Sequence, residues 1–325
     1  MTQVAYIMAA SHSGSTLLSM LLGSHPQVAT IGEIRLSPRS MGDLARYRCS
    51  CGELIQECGF WRKVKEAMIR RGFAFDVAHA GTDYQEADSR YARRLLGPLH
   101  RGRFLECIRD IGLGVSPIWR KKLPDVHRRN AALISVVAEI TKAEIIVDSS
   151  KGALRLKYLL RNPELHVKVI HLIRDGRGVA LTYMDPARFA DAKDPARRGG
   201  GMGGDRENER LPMARAAYTW RRCVEEAESI LRRLPPSQWI EVHYEDYCAV
   251  PDTTLVRLHR FLGVAPGRQP REFRAVPQHV VGNGMRLDAT SQVVLDDCWK
   301  SVLKTEELRV FDRIAGKVNN RYGYA

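Results

Sequence analysis

One segment constrains the fold more than any other: the apolar run Val4–Ala10 (VAYIMAA), the turn Ser11-His12-Ser13-Gly14, and then Ser15–Ser24, with leucines at 17, 18, 21 and 22. A short, wholly apolar run suits a strand buried on both faces of a parallel sheet, and the leucine spacing is that of a helix. His25-Pro26 ends the helix, because the residue before a proline is pushed out of the α region. A strand entering a helix through Ser and Gly is an anion cradle: small residues let backbone N–H groups approach a phosphate, and the helix start adds partial positive charge.

The pattern recurs. Glu144–Val147 leads through Asp148-Ser149-Ser150-Lys151 into Ala153–Leu160, and His166–Ile173 leads through Arg174-Asp175-Gly176 into Val179–Tyr183. Gln238–Val242 follows the helical stretch Met213–Leu234 and precedes a helix over Thr253–Leu262. Repeated strand–loop–helix units predict an α/β fold with a doubly wound parallel sheet. Ligands of such sheets sit at the carboxyl ends of the strands, where the three polar turns would gather. Two stretches interrupt the alternation: a basic, mostly helical insertion over about 36–130, and a loop at 191–210 with five glycines, a proline and dense charge. The whole of 1–325 reads as one domain carrying that insertion.

Composition limits the partners. With 51 Lys and Arg against 37 Asp and Glu, the formal charge is +14, which favours encounters with anions such as nucleotides or acidic glycans. Much of that charge is also what ordinary solvated faces carry. Nucleic acid is not expected, since the aromatic residues are dispersed and not interleaved with a basic stripe. No stretch approaches the roughly 18 uninterrupted apolar residues of a membrane span, nor does a basic leader precede Val4, so a cytoplasmic enzyme is expected. A nucleotide hydrolase or kinase of the P-loop type is disfavoured. Its loop would need a glycine where Ala9 stands and a lysine after Gly14.

Two signatures together resemble one family. SHSGSTLLSMLLGSHPQVATIGE is similar to the 5′-phosphosulfate loop of the sulfotransferases that use 3′-phosphoadenosine 5′-phosphosulfate (PAPS), above all their carbohydrate and tyrosylprotein branches. VIHLIRDGRGVALT resembles their 3′-phosphate motif, an arginine ending a strand with a hydroxyl residue eight positions later, here Arg174 and Thr182. Trp220, QWIEVHYEDY, FLGV and HVVGNGMR extend the likeness to nearly all of the chain outside 36–130. The resemblance implies a P-loop-like sulfotransferase fold and transfer of a sulfuryl group from PAPS to an acceptor hydroxyl, with a saccharide or another hydroxylated or anionic molecule as the acceptor. The insertion and the Gly-rich loop would form the acceptor cleft and its lid.

It also implies roles. His12, Ser13, Gly14, Ser15 and Thr16 would hold the 5′-side phosphate; Arg174, Thr182 and Arg286 would hold the 3′-phosphate that separates PAPS from ATP. Glu33, 17 residues beyond Thr16, matches by spacing the glutamate of the tyrosylprotein branch and is the candidate general base, with a pairing to Arg35 as the plainer reading. Lys151 can stabilise charge on the leaving oxygen, while Asp148 can simply orient its turn. His12 departs from the family's lysine or arginine; an imidazole can still donate, or Lys151 or Arg286 takes over. Cys49-Ser50-Cys51 and Cys58 suggest part of a zinc site, but no fourth ligand stands at finger-like spacing, and His79 is 21 residues beyond Cys58. Free thiols, or a disulfide formed on oxidation, are therefore preferred, and no metal is expected.

Overall fold

A computed structural model describes residues 2–35, 44–85, 90–96, 102–192, 197, 210–266 and 272–324. Five parallel strands form one sheet in the order β2-β3-β1-β4-β5. They are β1 (Thr2–Ala9), β2 (Val28–Thr30), β3 (Ile145–Lys151), β4 (Leu165–Ile173) and β5 (Trp239–His243). The sequence predicts four of these. It misses β2, a three-residue edge strand paired only with β3, which is too short to show any periodicity.

Strand β1 shows how the layers are built. Val4, Tyr6 and Met8 face one core, while Ala5, Ile7 and Ala9 face another, as the two-residue strand period requires. The first core lies under α2 (Gly59–Arg70), within the insertion, and α3 (Pro117–Thr141), which starts in it and runs on past 130. Ser116 caps α3 by accepting a hydrogen bond from the Trp119 N–H at 3.4 Å, and Pro117 fills its first turn. The second core lies under α1 (Ser15–Leu22) and α7 (Pro251–Leu262). Between them in sequence come α4 (Ala153–Leu159), α5 (Gly176–Met184) and α6 (Met213–Leu231). A third apolar cluster joins α5 and α6 to Phe311 near the C-terminus.

The chain winds from β1 outward to β2, returns through β3, and crosses β1 to reach β4. β1 is therefore the switch point, and the crevice beyond its carboxyl end is where a ligand fits. One irregularity lies there. Tyr6 pairs with Asp148 but Met8 with Lys151, so β3 carries one extra residue in a bulge. No helix among the described residues is long and apolar enough to cross a membrane.

Candidate functional site

Beyond the carboxyl ends of the strands lies a cavity of about 760 Å³, within the size range of small-ligand sites. Its wall includes His12, Gly14, Ser15 and Thr16 after β1, Glu33 after β2, Lys151 at the end of β3, and Arg174 and Thr182 after β4. The three polar turns do gather.

The loop after β1 is held open for an anion. Gly14 is the N-cap of α1 at φ +84°, no side chain caps the helix, and no acidic residue occupies its first turn. The first helical bond runs from Leu18 N–H to Gly14 C=O, so the first-turn N–H groups are left to a ligand. Only glycine fits at 14, because a Cβ would overlap the Tyr247 hydroxyl and the Tyr244 ring. Tyr247 Oη donates to Gly14 O at 2.9 Å and fixes the turn. Ser13 differs from its neighbours. Its hydroxyl is buried and meets no partner among the described residues, an orphaned polar atom in a loop whose residues 11, 12 and 14–16 line the cavity. His12 sits at φ +67°, its ring edge-on to Tyr183 at 4.8 Å.

Arg174 buttresses this loop from the next strand. It donates to His12 O at 2.8 Å and to both Asp296 O and Oδ2 at 2.8 Å, while its guanidinium lies 4.4 Å over the Tyr244 ring. Burial opposes the charge, but Tyr244 and Asp296 outweigh it, and the pKa rises above the usual arginine value. Thr182, on α5 and also buried, donates to Gly178 O at 3.1 Å.

On the other side of β1, Lys151 Nζ donates to Glu33 Oε1 at 2.5 Å, with the two side chains 13% and 14% exposed. Lys151 is at φ +66°, the left-handed region that costs an L-residue energy. A buried network holds it there. Asp148 Oδ1 accepts from Ser150 N at 2.9 Å and from Ser150 Oγ at 2.5 Å. Asp148 Oδ2 accepts from Arg155 Nε at 2.8 Å. Arg155 donates in turn to Thr82 O at 2.9 Å and to Asn130 Oδ1 at 2.7 Å. Asp148 thus orients the turn and lies wholly buried beneath it. Glu33 pairs with Lys151, and Arg35 pairs instead with Asp83 at 3.1 Å.

Arg286 lies elsewhere. It is 1% exposed, does not line the cavity, and donates to Gly282 O at 2.6 Å, Asn283 O at 3.0 Å and the Arg48 carbonyl. It organises the loop, while its neighbours Asn283 and Met285, which the sequence does not single out, reach the cavity wall together with Arg274.

A second cavity, of about 730 Å³, shares Ser11, Arg35, Ser150 and Lys151 with the first. Its far wall is α6 and the insertion, through residues such as Arg109, Arg222, Glu225 and Glu226. Burial pushes the Glu226 carboxyl up to about 7. The insertion therefore does line a cleft next to Lys151. The expected lid at 191–210 lies mostly outside the described residues, though Asp191 and Ala192 line the first cavity.

Comparison with known proteins gives consistent matches. A family model described as "Sulfotransferase family" matches residues 5–266. Mouse carbohydrate sulfotransferase 5 is 29% identical over 177 residues, covering 51% of this chain and 44% of that protein. Human carbohydrate sulfotransferase 2 is 25% identical over 182 residues, covering 46% and 33%. The chain thus spans less than half the length of these curated relatives. Among solved structures, the sulfotransferase domain from the curacin biosynthetic pathway aligns over 97% of this chain and 98% of its own at 16% identity, with a TM-score of 0.48.

Proposed function

We propose, from the premise that this chain belongs to the sulfotransferase family, that it transfers the sulfuryl group of PAPS to a hydroxyl of a polar acceptor. One observation carries the reading: the uncapped Ser/Gly loop, Arg174 and the Lys151–Glu33 pair face a single cavity at the switch point of the sheet.

PAPS fits the residues present. The open N–H groups of residues 14–17 and the hydroxyls of Ser15 and Thr16 suit the 5′-side phosphate, and the unpartnered Ser13 hydroxyl lies in the same loop. Arg174 and Thr182 suit the 3′-phosphate. When bound, PAPS supplies the sulfuryl group and a phosphate leaving group. Glu33 takes the proton of the acceptor hydroxyl; it lines the first cavity, and its 2.5 Å bond ties it to Lys151, which lines both. The Lys151 ammonium offsets charge on the departing side. His12 lines the leaving side as a hydrogen-bond donor in place of a cation. The second cavity receives the acceptor: guanidinium and carboxyl groups on one wall suit a molecule rich in hydroxyls, such as a saccharide. The carbohydrate acceptors in the names of the curated relatives agree with that choice.

Titration calorimetry with PAP (3′-phosphoadenosine 5′-phosphate, which PAPS leaves behind), ATP and AMP tests the reading. Binding of PAP but not of ATP, lost in Arg174→Ala and kept in Glu33→Gln, is expected. Transfer of labelled sulfate from PAPS to saccharide acceptors should vanish in Glu33→Gln. Equal affinity for PAP and ATP, or full transfer by Glu33→Gln, would overturn it.

A further inference from the structure

Far from these turns in the sequence, the fold brings His279 to Cys49, Cys51 and Cys58. This is the fourth ligand that local spacing does not supply. His279 Nδ1 lies 3.7 Å from Cys49 Sγ and 3.5 Å from Cys58 Sγ; Cys51 Sγ is 3.7 Å from Cys58 Sγ. All four donor atoms lie within 4.8 Å of one another.

These separations have a meaning. The edge of a tetrahedron is about 1.63 times the centre-to-vertex distance, so zinc bonds of about 2.3 Å to sulfur and 2.0 Å to nitrogen give edges of about 3.8 Å and 3.5 Å. The three close contacts match these edges, and the other separations stay within 4.8 Å. A disulfide would use only two sulfurs, at about 2.05 Å, and would leave the third thiol and the imidazole nitrogen unexplained. Thiolate donors with one imidazole in a tetrahedral set select zinc over the harder cations.

The surroundings are built for it. Cys49 and Cys58 are fully buried. A tight turn in which Gly52 N–H donates to Cys49 O at 2.9 Å presents the first two sulfurs, and Cys58 stands at the start of α2. The His279 ring stacks on Phe60 at 4.4 Å and 3°, which fixes its orientation. Ser50 stitches the two segments: its N–H donates to Val280 O at 3.2 Å, and its hydroxyl donates to Gln278 O at 2.7 Å and accepts from Val280 N–H at 2.8 Å.

We propose that Cys49, Cys51, Cys58 and His279 form a closed, structural zinc site. Four protein ligands leave no position for water or substrate, so the ion is a clamp. It joins the 49–58 knuckle to the 278–281 segment, whose Val281 N–H donates to Ile31 O at 2.9 Å and whose Val281 O accepts from Glu33 N–H at 3.2 Å. The clamp therefore supports the backbone that carries Glu33.

Elemental analysis of protein purified under reducing conditions, without chelator, should find about one zinc per chain. Exchange for Co²⁺ should give the visible bands of a tetrahedral thiolate complex. His279→Ala should fall below about 0.2 zinc per chain, whereas His279→Cys, which restores a fourth soft ligand, should keep it. Cys51→Ser, at the exposed ligand, serves if His279→Ala does not fold, and the same loss is expected. Folded wild-type protein that takes up no zinc under reducing conditions overturns the site. So does a Cys51–Cys58 disulfide in the peptide map of reduced-purified protein, or zinc content unchanged in Cys51→Ser.

Discussion

Replacing Lys151 by glycine should leave a more stable protein than replacing it by alanine, the reverse of the usual order inside a strand. Lys151 ends β3 at φ +66°, where the bulge and the Asp148–Ser150 bonds hold it. A left-handed conformation costs a residue with a Cβ roughly 1–2 kcal/mol, and glycine escapes that. Glycine's extra freedom in the unfolded chain costs about 0.5–1 kcal/mol in return. Both variants lose the bond from Lys151 Nζ to Glu33, so that loss cancels between them. Glycine should win by about 0.5–1 kcal/mol, where an ordinary strand position would favour alanine by the same amount. Urea unfolding measures it, read as a shift in midpoint at constant slope. Sulfuryl transfer should be lost equally in both variants, since neither has the ammonium. Alanine matching or exceeding glycine would refute the argument that this turn is strained by the fold.

Three other outcomes are expected. Arg155→Met should cost about 3–5 kcal/mol, because Asp148 is then a buried carboxylate without its 2.8 Å partner; a loss under about 1 kcal/mol by urea unfolding would count against it. Gly32→Ala should lower stability by more than about 1 kcal/mol, and kcat with it, while PAP binding, proposed at the ends of β1 and β4, is kept. Gly32 has φ +80° and a Cβ there would overlap the Val281 carbonyl oxygen; unchanged urea stability would refute this. Glu226→Gln should stabilise the protein only above about pH 4.5. Burial raises the carboxyl from 4.5 to about 7, so the penalty is absent below pH 4.5, grows as pH rises to about 7, and is constant above. The gain at pH 8 is on the order of 3 kcal/mol, and thermal melts of both proteins at pH 4.5 and 8 would show whether it depends on pH in that direction.

What the sequence makes legible is local. Each strand, its polar turn and its helix are contiguous, so apolar runs and Ser/Gly turns announce β1, β3, β4 and β5, and with them the gathering of Ser15, Lys151 and Arg174. Contacts made at long range are not legible. Arg286, next to two glycines, reads as a ligand-facing arginine. It is turned inward because the carbonyls of Arg48, Gly282 and Asn283 are buried and need donors. His279 is missed for a related reason: 221 residues separate it from Cys58, and the long-range bonds of Ser50 to 278–280 and of Gly32 to Val281 bring it to the cysteines.

The strained positions tie these observations together. Three non-glycine residues among those described have positive φ, and two of them, His12 and Lys151, line the first cavity. Strain of this kind persists only where its surroundings over-determine it. At His12 the holder is Arg174, bonded to its carbonyl; at Lys151 it is Asp148, bonded to Arg155. Arg155 depends in turn on Asn130 and Thr82, both from the insertion that interrupts the strand–helix alternation. Asn130 also donates to Thr82 O at 3.0 Å, so α3 and the preceding loop meet the turn as one unit. The insertion is thus more than a wall of the second cavity. Through Arg155 and Asp148 it braces the end of β3, where the ammonium of Lys151 meets Glu33.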